Sequence, residues 1–237
     1  MEKITTGKIR NLKSEIRKIS MLTAYDYSIA RILDETAVDI ILVGDSLGNV
    51  ILGHENTRSV TIEEMSHHTR AVARGAPRAL VVTDMPFGSM RDAVLSANRL
   101  VESGAAAVKV EGAEIEGIRA IRGAGMEVMG HLGCLPQSAS VYKVVRSDKL
   151  IDEAKQLEAA GVFAIVLELV DSEVAKQITA AITIPTIGIG SGPHCDGQVL
   201  VTYDMLGLYP DAPKHAKKYV DLAVEIKRAV GSFIKEL

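Results

Sequence analysis

The sequence predicts a single-domain α/β fold, a (β/α)8 TIM barrel over residues 1–237 with a short N-terminal helix and a long C-terminal helix. Eight short runs of strand-forming residues alternate with helical segments along the chain. Right-handed connections between parallel strands make a closed barrel the simplest arrangement of such units. The helices follow one another without a Pro/Ser-rich linker, which argues against a second domain.

The first quarter of the sequence predicts two helices and two strands. Apolar residues at near-helical spacing predict helices over residues 5–18 and 26–35, the first of them as a cover for one end of the barrel. Residues 19–24 and the apolar run that opens residues 40–49 predict strands, because such runs are buried on both faces in a parallel sheet. The connection over residues 47–60 is long, and loops of that length tend to be functional.

The middle of the sequence continues the alternation. Thr61 followed by Glu64 is a capping box, which predicts the start of a helix. The strands are again short apolar runs that end at a polar residue or a glycine. We predict helices over residues 61–73, 91–103 and 115–123, and strands over residues 79–86, 106–112 and 127–132.

The last part of the sequence predicts the remaining strands and helices by the same signals. Its final segment has apolar residues on one helical face, which predicts a long amphipathic helix. We predict helices over residues 148–160, 172–180 and 212–237, and strands over residues 163–170, 184–190 and 199–203.

Composition and charge exclude several classes of function. With 27 basic and 30 acidic residues, the formal net charge is −3, which provides no basic face for nucleic acid. The first residues are charged where a signal peptide needs an apolar core, and no apolar run approaches the length of a membrane span. Cys134 and Cys195 are too few for a disulfide framework. We therefore expect a cytoplasmic protein that acts on small molecules.

Three carboxylates, Asp45, Asp84 and Glu111, lie at the ends of consecutive predicted strands. The carboxyl ends of parallel strands meet at one end of a barrel, where such folds hold their chemistry. A single aspartate at a strand end is often only a helix N-cap. Three carboxylates together repel one another, and a hard cation relieves that repulsion. The combination favours Mg²⁺, with coordination positions left for water and for an α-keto acid substrate.

Lys109 lies two residues before Glu111, so both side chains are predicted on the same face of one strand. It has three candidate roles: a Schiff-base nucleophile, a cation for a substrate carboxylate or oxyanion, or a structural partner of Asp84 or Glu111. A nucleophilic lysine needs a lowered pKa, and nearby carboxylates act in the opposite direction. We therefore predict the cation role.

Three more residues are candidates for chemistry. Glu168 is the charged residue of an otherwise apolar strand, so it is either structural or a proton-transfer group. His131 ends a strand, and is either a structural histidine or a hydrogen-bond donor to substrate. Ser46 either donates to a substrate carboxylate or caps the following turn, and we favour the first role.

Other polar residues are less strongly indicated as members of a functional site. His67 and His68 are adjacent on a predicted helix and point in different directions, so we expect surface or interface histidines rather than a metal pair. The glycine-rich turn at residues 188–192 resembles the phosphate-binding loops of some barrels, but a matching anion-binding loop after the eighth predicted strand is missing. Cys195 is expected to be exposed there, without a role.

Several long segments of the chain closely resemble the ketopantoate hydroxymethyltransferase family. The segments are MLTAYDYSIA, VGDSLGNVILGHENT, TDMPFGS, VKVEG, GHLGCLPQ, FAIVLELV and IGIGSGPHCDGQVLV. The resemblance implies a Mg²⁺-dependent barrel that transfers a hydroxymethyl group from 5,10-methylenetetrahydrofolate, or a related reduced pterin, to 3-methyl-2-oxobutanoate. This is the first committed step toward pantothenate. The resemblance also implies a homo-oligomer, commonly a decamer.

The family's functional residues can be carried over to positions of this sequence. Asp45 and Asp84 match its metal-site aspartates, which also adjoin the substrate, and Glu111 matches its third metal carboxylate. The keto-acid contacts fall on Ser46 and Lys109, and the proton-accepting glutamate falls on Glu168. His131 lies beside the substrate in the family's GHLG segment.

Three other functions compete with this one. The nearest is another Mg²⁺-dependent α-keto-acid aldolase or lyase barrel, which would not need a reduced pterin. The second is a phosphate-binding barrel such as a phosphosugar isomerase. The third is a catalytically silent barrel that binds metabolites as a regulator. The intact set of charged residues at the strand ends argues against the third.

Overall fold

Eight parallel strands close into a barrel in which each strand pairs with the next one in the chain. The structure is a computed structural model that describes residues 2–139, 142–209 and 216–237. The predicted (β/α)8 class is confirmed. The strands are β1 Ile19–Thr23, β2 Ile40–Val43, β3 Leu80–Asp84, β4 Ala107–Glu111, β5 Val128–Gly133, β6 Ala164–Glu168, β7 Thr186–Ile189 and β8 Gly197–Leu200.

Helices follow most of the strands, and several begin at side-chain caps, of which the Thr61 capping box was predicted. The capping box of Thr61 and Glu64 is present, and Asp26 accepts a hydrogen bond from Ile29 N at 2.9 Å. The helices are α1 Thr6–Ser14, α2 Tyr27–Glu35, α3 Leu47–Val50, α4 Ile62–Gly75, α5 Ala93–Glu102, α6 Ile115–Gly123, α7 Lys149–Ala159, α8 Ser172–Ala181, α9 Thr202–Leu206 and α10 Leu222–Lys235, with short 3-10 helices at Thr57–Ser59 and Ser89–Asp92.

The chain forms two compact units, Met1–Val199 and Leu200–Leu237. The core of the first unit lies between the barrel strands and α1, whose Ile9 and Leu12 belong to the same apolar cluster as Ile19 and Phe163. Burying such side chains favours folding by about 1.5–3 kcal/mol each. Helix α1 therefore covers the amino end of the barrel, as predicted.

Lys13 fastens α1 to the last part of the barrel. Its Nζ donates hydrogen bonds to the carbonyl oxygens of Thr179, Ile182 and Ile184 at 2.7, 3.0 and 3.0 Å. The same Nζ lies 3.2 Å from Asp196 Oδ2. These three carbonyl groups lie at the end of α8 and just before β7, where they have no partner within the helix or the strand. The ammonium of Lys13 supplies the hydrogen bonds that they need.

Several predicted boundaries are wrong. Helix α1 ends at Ser14 rather than residue 18, because Ile16 takes a left-handed φ of 56° and Arg17 N bonds back to Leu12 O, which is a Schellman cap. The long connection predicted after β2 is present, and it contains α3 and a 3-10 helix.

The predictions for the end of the barrel need two corrections. Strand β8 begins at Gly197 and ends at Leu200, and Tyr203 belongs to α9 instead of a strand. Cys195, which was expected to be exposed, is fully buried, and its Sγ lies against Gly188. Cys195 is buried because the chain already packs against β7 two residues before β8 begins.

The second unit contains α9 and α10. Helix α10 begins at Leu222, where Asp221 accepts a hydrogen bond from Val224 N at 3.3 Å, and not at residue 212. Residues 216–221 are not helical, and residues 212–215 of the predicted helix lie outside the described residues. Within the described residues, no helix is both long and apolar enough to cross a membrane.

Candidate active site

The predicted site residues all lie toward the carboxyl ends of strands β2 to β6. The register pairs Asp84 with Lys109 and Glu111 with His131 across neighbouring strands. Gly133 ends β5 at a φ of 102°, where a Cβ atom would collide with the Glu168 carbonyl. A glycine is therefore required for β5 to pass this close to the end of β6.

Asp84 and Lys109 form a buried ion pair at the centre of the site. Lys109 Nζ lies 2.9 Å from Asp84 Oδ1, and the other oxygen of Asp84 accepts a hydrogen bond from Asp45 N at 3.0 Å. In these contacts Asp84 bonds to the end of β2 and to β4, and does not cap a helix. The two strand-end aspartates are thus directly adjacent.

His131 connects Lys109 to Glu168. Lys109 Nζ lies 3.2 Å from His131 Nδ1, and an ammonium can only donate, so Nδ1 accepts and the ring proton lies on Nε2. His131 Nε2 lies 3.2 Å from Glu168 Oε2, at an angle short of a well-formed hydrogen bond. Burial, followed by the charge of Lys109, lowers the pKa of His131, so the ring is neutral. Asp84, Lys109, His131 and Glu168 therefore form one continuous chain.

Burial and close neighbouring carboxylates raise the pKa values of two acidic side chains in the site. Burial and the neighbouring Asp84 raise the pKa of Asp45 to about 7, and burial raises the pKa of Glu111 to about 8. Burial alone would lower the pKa of Lys109, but Asp84, Glu111 and Asp45 together raise it above its usual value. This direction of the pKa favours a charged Lys109 and disfavours the Schiff-base role.

Ser46 belongs to a polar network on the β1 and β2 side of the site. Its Oγ lies 2.9 Å from the hydroxyl of Tyr25, and its side chain caps no helix. The backbone carbonyl of Tyr25 is in turn 2.6 Å from His68 Nδ1. His67 is exposed as expected, whereas His68 is half-buried and helps to hold Tyr25.

Gln137 is a site residue that sequence reasoning assigned no role. Its side-chain Nε2 donates to Asp45 Oδ2 and to the Met85 carbonyl, each at 2.9 Å. Its backbone N–H donates to Glu111 Oε2 at 3.2 Å. The signal that could have found it is its place in GHLGCLPQ, a segment that carries the family resemblance.

The glycine-rich turn at residues 188–192 makes structural bonds. Ser191 Oγ accepts from Val170 N at 2.9 Å and donates to the Leu167 carbonyl at 2.7 Å. These bonds tie the turn to the end of β6, so its serine hydroxyl is already used within the fold.

A family model described as ketopantoate hydroxymethyltransferase matches residues 3–237. The chain belongs to the ketopantoate hydroxymethyltransferase family. It is 52% identical over 252 residues to 3-methyl-2-oxobutanoate hydroxymethyltransferase of Acetivibrio thermocellus, covering 100% of this chain and 89% of the relative. It is 49% identical to the protein of the same name from Caldicellulosiruptor bescii, covering 100% of this chain and 96% of that relative. The predictions of the family and of a hydroxymethyltransferase enzyme are confirmed.

Solved structures of other enzymes share the fold of this ketopantoate hydroxymethyltransferase family member. Phosphonopyruvate hydrolase, solved in complex with oxalate and Mg²⁺, superposes with a TM-score of 0.67 at 14% identity. The superposition covers 98% of this chain and 86% of the hydrolase. At this identity the similarity supports the barrel architecture alone.

The donor set of this ketopantoate hydroxymethyltransferase family member suits a hard divalent cation. In the part of the chain that the structure describes, no group of three His, Cys, Asp or Glu side chains is arranged to enclose a metal ion by itself. However, Glu111 Oε1 is buried without a hydrogen-bond partner, and Asp45 and Asp84 are adjacent acids facing a single ammonium. Added positive charge would satisfy this excess of carboxylate oxygens, with open positions left for water and substrate.

The raised pKa values predict that the metal-free protein loses stability as the pH rises. The folded state holds protons on Asp45 and Glu111 up to pH 7–8, whereas the unfolded chain releases them near pH 4, so stability falls between these limits. We expect the free energy of unfolding to fall between pH 5 and pH 8 by about 2–4 kcal/mol more in the wild type than in Asp45→Asn. Urea unfolding in EDTA at fixed protein concentration measures this difference.

The matched control for this prediction is Asp152→Asn, because the side chain of Asp152 on α7 is 78% exposed. Its pH dependence should equal that of the wild type. Identical pH slopes for the wild type and Asp45→Asn would contradict the electrostatic description of the site.

Proposed function

We propose that this chain transfers a hydroxymethyl group from 5,10-methylenetetrahydrofolate, or a related reduced pterin, to 3-methyl-2-oxobutanoate, giving 2-dehydropantoate for pantothenate synthesis. The observation that carries this proposal is the continuous chain Asp84–Lys109–His131–Glu168 at the carboxyl end of the barrel. It places a cation and a carboxylate on either side of a neutral imidazole. The names of the family and of its relatives support the choice of substrate.

We propose Mg²⁺ as the metal, which the carboxylates of Asp45, Asp84 and Glu111 would hold. When bound, it supplies positive charge beside the keto and carboxylate oxygens of the substrate, which acidifies the neighbouring C3 proton. Support comes from the excess of oxygen donors described above, and from the Mg²⁺ in the complex of phosphonopyruvate hydrolase, which has the same fold.

The charged residues of the chain have separate roles in this proposal. Lys109 contributes a fixed positive charge to the substrate oxygen on which negative charge develops. The hydroxyl of Ser46, oriented by Tyr25, donates to the substrate carboxylate. The Nε2–H of His131 faces Glu168 and holds that carboxylate beside the substrate.

Glu168 carries the proton transfer. The C3–H bond breaks, the proton passes to the Glu168 carboxylate, and the electron pair enters the enolate of the substrate. Water opens the methylene bridge of the carrier, so that both of its carbon–nitrogen bonds break, the free reduced carrier leaves, and the one-carbon unit remains at the oxidation level of formaldehyde. The enolate carbon forms a carbon–carbon bond with this unit, and the oxygen that receives its π electrons takes a proton to become the hydroxymethyl group. Glu168 suits this role because it ends β6 with its side chain 14% exposed, so it adjoins the site without being immersed in water.

Exchange of the C3 proton tests the first half of this reaction without the carrier. We expect the enzyme with Mg²⁺ to replace the C3 proton of 3-methyl-2-oxobutanoate with deuterium in D₂O, because enolate formation does not require the one-carbon unit. NMR follows the loss of the proton signal, and EDTA should abolish it. Absence of Mg²⁺-dependent exchange, in a preparation that forms 2-dehydropantoate when methylenetetrahydrofolate is added, would contradict this mechanism.

The second candidate is another Mg²⁺-dependent α-keto-acid aldolase or lyase. This alternative is retained because a 2,3-dimethylmalate lyase has the same fold, with a TM-score of 0.65 at 15% identity. Turnover of a keto acid that does not require a reduced pterin would establish this alternative.

We further propose that the protein acts in the cytoplasm as a homo-oligomer, a decamer by family resemblance. Helix α10 supports self-association, because its apolar side chains Val224, Ile226 and Phe233 are more than half exposed to solvent. Sedimentation velocity measures the oligomer number, and a monomer at micromolar concentration would contradict the proposal.

A further inference from the structure

We propose that Gln137 is a positioning residue that fixes the carboxylates of Asp45 and Glu111 in the arrangement that receives the divalent cation. This inference rests on the metal site in the proposed function. It concerns a residue outside the set predicted from the sequence, in the loop that follows β5.

Gln137 contacts the ends of three neighbouring strands. Its side-chain amide donates to Asp45 Oδ2 beyond β2 and to the carbonyl of Met85 beyond β3, each at 2.9 Å. Its backbone N–H donates to Glu111 Oε2, at the end of β4, at 3.2 Å. One residue therefore orients two carboxylates and fixes the distance between the strands that carry them.

The hydrogen bonds also fix which way the side-chain amide points. Both partners of Nε2 are acceptors, a carboxylate oxygen and a carbonyl oxygen, so the opposite amide orientation would place Oε1 against two acceptors. Gln137 therefore acts as a donor to Asp45 and is not itself arranged as a metal ligand.

Arg58 holds the Gln137 loop from the other side. Its Nε donates to the Gln137 carbonyl at 2.7 Å, and a second guanidinium nitrogen donates to the Ser138 carbonyl at 3.0 Å. The guanidinium also lies over the ring of Phe87, with Cζ 5.8 Å from the ring centroid. Arg58 thus connects the long segment after β2 to the loop after β5, and its contacts among the described residues reach the carboxylates through Gln137.

Gln137→Met tests this role because methionine has a similar length and no N–H donor. Residues that orient metal ligands typically contribute a factor of 10–100 to affinity, so we expect the Kd for Mn²⁺ to rise about 10–100-fold. Electron paramagnetic resonance of free Mn²⁺ measures the Kd without substrate or turnover. The control is Ser138→Ala in the same loop, whose Oγ bonds only weakly to the Leu135 carbonyl at 3.3 Å and whose Kd should be unchanged.

Two further variants separate positioning from a general loss of structure. Arg58→Met should weaken Mn²⁺ binding less than Gln137→Met, and the double variant should bind as Gln137→Met does, because Arg58 acts through Gln137. Additive effects of the two substitutions would overturn this order of action.

The experiment distinguishes failure of this inference from failure of the metal site itself. If the wild type binds Mn²⁺ and Gln137→Met binds it equally well, only the positioning role is overturned. If the wild type does not bind Mn²⁺, the metal site of the proposed function is overturned together with it.

Discussion

Replacing Glu168 with glutamine should lower kcat for 2-dehydropantoate formation by about 10²–10⁴-fold, the usual contribution of a general base. Glutamine keeps the size of the side chain but cannot accept the C3 proton. The same variant should lose C3 proton exchange in D₂O while retaining Mn²⁺ binding, because Glu168 is not among the proposed metal ligands. Steady-state kinetics and NMR exchange measure the two effects on one preparation.

The matched control for Glu168→Gln is Glu173→Gln, on the exposed face of α8, where the side chain is 70% exposed. It should leave both rates unchanged. If Glu168→Gln instead exchanged the C3 proton and turned over at the wild-type rate, Glu168 would have no catalytic role. The proton transfer would then have to be assigned to another group of the site.

Replacing Lys109 with methionine should destabilise the metal-free protein by about 3–5 kcal/mol at pH 8, because it leaves buried carboxylates without their cation. The loss should be smaller at pH 5. Asp45 and Glu111, whose pKa values are about 7 and about 8, are protonated there and need no counter-charge. Urea unfolding in EDTA at both pH values gives the two differences.

Lys176→Met on α8 is the control for Lys109→Met, since its ammonium is exposed and pairs with Glu173 only at 3.9 Å. It should have little effect at either pH. Added Mg²⁺ should restore part of the stability of Lys109→Met, as a second source of positive charge at the carboxylates. An equal loss at pH 5 and pH 8, unaffected by Mg²⁺, would show that Lys109 contributes by packing rather than by charge.

Most of the barrel could be predicted because strands buried on both faces are short, continuous apolar runs. Strand β3, for example, was predicted over residues 79–86 and is found at Leu80–Asp84. The start of strand β8 was predicted two residues too late because the strand begins at a glycine, which is not typical of a strand. Close packing against β1 requires this glycine. A Cβ atom at Gly197 would approach the Ile19 carbonyl to 2.5 Å, a requirement that the local sequence does not express.

The candidate site was partly predictable for a related reason. The rule that parallel strands direct their carboxyl ends to one edge brings Asp45, Asp84 and Glu111 together from their positions alone. The contacts of Gln137 could not be predicted in this way, because they depend on the path of an irregular loop. The approach of Lys109 to His131 depends on side-chain conformations across two strands, which the order of residues does not specify.

The attachment of α1 through Lys13 has a consequence for synthesis of the chain. Lys13 binds carbonyl groups that lie 166, 169 and 171 positions further along. While the ribosome is still making the polypeptide, the Lys13 hydrogen bonds therefore cannot form until Ile184 has emerged from the exit tunnel, although Ile9 and Leu12 can already pack on the earlier strands. We expect the attachment of the first helix to be completed only late in synthesis, so a translation pause before Ile184 should prolong chaperone association with the nascent chain.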